Sequence, residues 1–161
     1  MWRKDCLSKP KLRSYRTYKT ELKFEPYLNL GGFMARSVLF SLRSGTCRLR
    51  IELGRHRRPK EKEEERLCLA CDKGKVENEV HFVTECEVYA VLRQDLFSKI
   101  LSISNGLKNL FEEDNEEEIF QVVMGVGWGG GDQWSKICQA SLNFVYLAMM
   151  KRALLLKDRL V

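Results

Sequence analysis

Proline is scarce in this 161-residue chain, with three residues, and glycine contributes only eleven. A collagenous chain and a proline-rich disordered one are both excluded. Histidine is scarcer still, so imidazole chemistry falls on His56 or His81. No apolar run reaches the roughly 20 residues that a membrane-spanning helix needs. The best window, 137–156, is interrupted by Gln139, Asn143, Lys151 and Arg152. The opening Met1-Trp2-Arg3-Lys4-Asp5 is charged and no apolar stretch follows it, which predicts no secretory signal. An extracellular enzyme and a multi-pass membrane protein are therefore not expected; an intracellular location, nuclear or cytoplasmic, is. No paired-carboxylate or P-loop pattern stands out. Gly125-Val126-Gly127 lacks a βαβ context and the acidic residue about 20 positions on that a dinucleotide loop requires.

What is present is a globular balance, 44% apolar with 31% charged, in a length that suits one domain. Charge is divided along the chain. Residues 1–60 carry 16 Lys/Arg against 4 Asp/Glu, residues 61–118 carry 7 against 16, and residues 119–161 carry 5 against 2. The basic block is densest at Arg48-Leu49-Arg50 and at Arg55-His56-Arg57-Arg58-Pro59-Lys60. Arg48, Arg50, Arg55, Arg57, Arg58 and Lys60 are thus candidate contacts to phosphates. The adjacent run Glu61-Lys62-Glu63-Glu64-Glu65 offers a plainer role, in which the two runs neutralise each other.

Periodicity predicts a mainly α fold of about five or six helices. A basic helix is expected over 10–24, with Leu12, Tyr15 and Leu22 near one face and Pro26 ending it. A second runs from Phe33 to about Leu42, with Phe33, Met34, Val38 and Leu42 at core spacing, and Arg43-Ser44-Gly45 stops it. Residues 46–66 read as irregular, with short extended pieces around Leu49, Ile51 and Leu53. A clear amphipathic helix covers 87–103, carrying Val88, Val91, Leu92, Phe97 and Ile100-Leu101. A short helix follows near 107–111, and Asp114 or Asn115 is placed to cap another. Glycines 125–131 read as a connector before the longest helix, 132–159. The segments 1–45, 46–104 and 105–161 are expected to form one domain together.

The chemistry-bearing constellation lies in the centre. Cys68, Cys71, His81 and Cys86 form C-x2-C-x9-H-x4-C, three thiolates and one imidazole, a standard tetrahedral set for structural zinc. The two-residue step lets a tight turn aim both sulfurs at one point. Asp72-Lys73-Gly74-Lys75 reads as a hairpin tip with Gly74 at positive φ, so a small β-hairpin and helix bearing one zinc ion is expected in mid-chain. Four filled positions leave none open for activating water, and no catalytic residue is expected. Cys6, Cys47 and Cys138 share no ligand spacing and read as free or buried thiols.

Arg66-Leu67-Cys68-x2-Cys71 with Val76-Glu77-Asn78-Glu79-Val80-His81-Phe82-x3-Cys86-x2-Tyr89-x3-Arg93 resembles the cysteine–histidine segment that closes many non-LTR (LINE-type) retrotransposon reverse transcriptases. Lys9-Pro10-Lys11-Leu12-Arg13-Ser14-Tyr15, Glu25-Pro26-Tyr27-Leu28, and Leu49-Arg50-Ile51-Glu52-x-Gly54-Arg55 look like the stretches that precede it. Two departures stand out: Glu87 follows the last cysteine where family members often carry proline, and the 125–131 glycines look like an insert. Neither a polymerase palm nor an endonuclease domain is expected within these 161 residues. The resemblance implies a zinc-stabilised tail that grips RNA or DNA, sequence-nonspecifically and away from catalysis. The competing expectation is a protein-interaction or purely structural zinc module from a domesticated or decayed retroelement.

Overall fold

In the computed structural model, residues 2–19, 21–112, 115–126 and 131–157 are described. The architecture is mainly α. The elements run α1 (Trp2–Ser8), α2 (Tyr15–Tyr18), α3 (Phe33–Ser44), α4 (Arg50–Leu53), α5 (Ala90–Ile103), α6 (Lys108–Glu112), α7 (Glu116–Val123) and α8 (Asp132–Leu155). Helix α8 is the spine, packing along both α3 and α5. Leu39 and Leu42 of α3, Leu96 and Ile100 of α5, and Ile137, Leu142 and Val145 of α8 are buried in one core with Phe120 and Val123 of α7.

Local signals account for several boundaries. Gly45 ends α3 in the left-handed region at φ 63°, its N–H donating to Leu42 and Ser41 carbonyls. The Asn115 side chain caps α7 by accepting from the Glu118 N–H, and Glu116, Glu117 and Glu118 sit at the positive end of that helix dipole. Asp114 and residues 127–130 of the glycine connector lie outside the described residues, as do 158–161 at the expected end of α8.

Other expectations are corrected. The basic helix over 10–24 is broken into a 3-10 turn at Pro10–Leu12, the single turn α2, an extended Lys19 and irregular chain over 21–24. Ion pairs decide this. Arg13 reaches Glu79 at 2.7 Å and Glu52 at 3.0 Å, and Lys19 turns inward to pair with Glu25. Leu22, expected on an apolar face, is exposed. Phe33 is 71% exposed and Val91 is also outside the core, because α8 covers the opposite faces of α3 and α5; Met34 is exposed as well, at the rim of the cavity between α3 and the end of α8. Residues 50–53, expected to be extended, form α4. The 87–103 helix opens with a 3-10 turn, Glu87–Tyr89, before α5.

The expected β-hairpin is also corrected. Among the described residues there is no strand, only one antiparallel bridge between Leu67 and Val76. The Cys68 N–H donates to the Lys75 carbonyl at 2.8 Å and the Glu77 N–H to the Arg66 carbonyl at 2.9 Å. Pairing stops there because residues beyond Cys68 must curl to present two thiols, while Glu77 is engaged by α4, whose Ile51 N–H donates to its carbonyl at 3.0 Å.

Candidate metal centre

Cys68 and Cys71 leave the bridge on one side of the loop, and Gly74 turns its tip at φ 63°. On the return, the Asn78 side chain accepts from the His81 N–H at 2.8 Å. This starts a π-type turn over His81–Glu85, closed by the Cys86 N–H donating to the His81 carbonyl at 2.8 Å. The wider turn brings His81 and Cys86 to the same side as the first two cysteines. The four ligand atoms lie within 4.8 Å of one another, and Cys71 Sγ is 3.4 Å from His81 Nε2. Cys68, His81 and Cys86 are buried; Cys71 is half-buried. No disulfide joins these cysteines. A tetrahedral ion with bonds of about 2.1–2.3 Å sets its ligand atoms roughly 3.5–4 Å apart, so the donor set fits a metal ion with little movement.

The protonation pattern has the same origin. The hydrogen bond Cys68 donates to Cys86, reinforced by burial, pushes the Cys68 thiol up to about 12. That bond lowers Cys86 below the usual thiol value. Burial alone would lower the His81 imidazole, but hydrogen bonds with Cys68, Glu85 and Cys71 outweigh it and push it up to about 9. Ligand groups this close together are where a cation can replace protons.

Three supporting residues escaped the sequence reading. Glu85 Oε2 accepts from His81 Nδ1 at 3.1 Å and from Lys75 Nζ at 2.7 Å, which turns Nε2 toward the thiols. The i, i+4 spacing of His81 and Glu85 was the available signal. Glu77 is 1% exposed and lies behind the site, its Oε1 3.8 Å from Cys68 Sγ. It pairs two-pronged with Arg152 of α8, 2% exposed, at 2.7 and 2.6 Å. Its Oε2 also accepts from the Arg50 N–H at 2.7 Å. A single arginine in an apolar helix was the only sign of this pair.

The predicted phosphate contacts separate into groups. Arg50 is buried and directed inward to Glu61 at 2.6 Å. Arg55 pairs with Glu52 at 3.0 Å, and Arg57 with Glu61 at 3.5 Å. Arg48, Arg58 and Lys60 are exposed and have no ion-pair partner among the described residues. Phe82 and Tyr89 are buried against each other, ring centroids 4.9 Å apart, and offer no face to a base. A groove of about 560 Å³ gathers Lys9, Arg48, Arg55 and His56. Cys47, on its wall, is buried and donates to Glu79 at 3.8 Å; burial pushes its thiol up to about 12. No helix among the described residues is long and apolar enough to cross a membrane. Neither a protein-family model nor a curated protein nor a solved structure matches this chain.

Proposed function

We propose that the chain is a zinc-stabilised module that binds RNA or DNA without sequence preference, is not catalytic by itself, and derives from the tail of a non-LTR retrotransposon reverse transcriptase. Zinc is favoured because three thiolates and an imidazole within 4.8 Å of one another suit a soft, four-coordinate ion and leave no position for substrate. Cys68, Cys71, His81 and Cys86 hold it, and its role is to staple the central loop. The retroelement origin rests on the resemblance over 43–93. The observation that carries nucleic-acid binding is the groove in which Lys9, Arg48, Arg55 and His56 converge from distant parts of the chain. Glu52 also lines it, but this carboxylate is held between Arg13 and Arg55, so cationic charge predominates.

Anisotropy titrations of labelled RNA and DNA against salt test this reading. Counterion release predicts a log–log slope of about −0.7 to −0.9 for each phosphate neutralised. Replacing Arg48, Arg58 and Lys60 with alanine should make the slope shallower, by up to about 2–3, on both nucleic acids. Absence of binding by the parent at low salt would refute it. That result would favour a protein-interaction module, for which Phe33, Met34 and Phe40, exposed on α3, are the relevant surface.

A further inference from the structure

A second cavity, of about 540 Å³, opens between α3 and the last turns of α8. Its walls are Met34 and Val38 from α3 and Met149, Ala153 and Leu156 from the α8 end. Arg48 and Lys157 also line it, and no acidic side chain does. The cavity and the basic groove share Thr46, Cys47 and Arg48 as a common wall. An apolar recess and a cationic channel therefore meet at one exposed arginine that has no ion pair among the described residues.

We infer that this recess receives an unpaired base of a single strand whose phosphates lie in the groove. The inference rests on the nucleic-acid reading above and narrows its ligand to single-stranded RNA or DNA. Four features match that ligand. A polyanion with flat apolar appendages needs cations and an apolar slot side by side, and these two cavities are contiguous. Arg48 stands between them, where its guanidinium can stack on a base and contact the adjoining phosphate. The thioethers of Met34 and Met149 are soft, polarisable partners for an aromatic ring. The Ser37 hydroxyl, which has no hydrogen-bond partner among the described residues, is available to a base edge. Duplex bases are stacked inward and cannot enter such a recess, so the site discriminates strandedness rather than sequence.

The test compares the full zinc-loaded chain with two variants that fill the recess, Ala153→Leu and Ser37→Leu, and one that removes the shared cation, Arg48→Ala. Ala153 is exposed on a helix and Ser37 half-buried on another, so leucine suits both backbones; circular dichroism checks that each variant folds. The probes are a labelled oligo-uridine RNA, an oligo-thymidine DNA and a duplex of equal length at matched salt. The parent is expected to bind both single strands at least about fivefold tighter than the duplex, the low end of what one accommodated base contributes. Either recess-filling variant should remove that preference while retaining duplex binding, and Arg48→Ala should weaken all three probes. A parent that binds duplex and single strands equally would overturn the inference, as would folded recess-filling variants that keep the preference; the nucleic-acid reading survives both. No binding of any probe by the parent removes that reading, and the inference with it.

Discussion

Glu77 joins three parts of the chain through one carboxylate: the loop at Cys68, the α4 backbone at Arg50, and Arg152 near the end of α8. Two opposite charges this deeply buried are tolerated because each satisfies the other in a bidentate geometry. Glu77→Gln should therefore destabilise the protein by about 3–5 kcal/mol, since Arg152 would be left buried and uncompensated. A Glu77→Leu/Arg152→Met double variant should recover much of that loss; urea denaturation of the three proteins measures both steps. Gly54 is a steric counterpart. A Cβ built there would stand 2.5 Å from Glu61 Oε2 and 2.6 Å from Arg66 Cγ. Gly54→Ala must push this packed pair aside, with a loss of about 1–3 kcal/mol expected in the same assay. The C-x2-C-x9-H-x4-C set was legible in the sequence, because ligand spacing is local. Glu77 and Arg152, 75 positions apart, were not, because no local rule links them.

At the scale of elements, the loop 67–86 has, beside the Glu77 contacts, one β-bridge and one irregular turn, so an ion held by its four ligands would add much of the ordering. Structural zinc sites of this type contribute about 10–16 kcal/mol of binding energy coupled to folding. Chelation should lower the thermal midpoint and deprotect amides of 67–86 to hydrogen exchange, with one zinc per chain found by elemental analysis of the parent. His81→Ala should abolish the chelator response; a variant as chelator-sensitive as the parent would contradict the site. Metal uptake must expel the protons that His81 and Cys68 hold up to about 9 and about 12. Affinity should consequently rise with pH and fall as acid restores those protons, as competition with a chromophoric chelator at pH 6, 7 and 8 will measure. Helices α3, α5, α7 and α8 were legible from periodicity and caps. The fate of 10–24 was not, since Arg13 and Lys19 left the expected helix for Glu79, Glu52 and Glu25, partners supplied by other segments.

Over the whole molecule, the acidic run beside the basic block is used in part rather than wholly. Glu61 folds back on Arg50 and Arg57, whereas Glu63, Glu64 and Glu65 remain exposed. The hydrogen bond from Arg50 holds the Glu61 carboxyl below the usual carboxylate range. A lowered value means that this pairing stabilises the fold above the ordinary carboxylate pKa of about 4.3 and is lost as pH falls through the folded value. Between pH 5 and 3 the parent should lose more stability than Glu61→Gln, whose curve lacks that contribution; urea midpoints at each pH make the comparison.

Composition, charge order and ligand spacing by themselves determined a helical chain, a four-ligand cluster and a basic N-terminal block. Each is a property of neighbours in sequence, set by periodicity, by the reach of a two-residue turn or by simple counting. Which arginines stay in water was decided only by tertiary structure. Burial of α4 against the cysteine–histidine loop takes Arg50 inside and leaves Arg48 out, although they are two residues apart. The meeting of the basic groove with an apolar recess was decided in the same way, by α8 laying its last turns beside α3. The reason is physical: a charge's role depends on the dielectric and the partners around it, and those arrive from residues far along the chain.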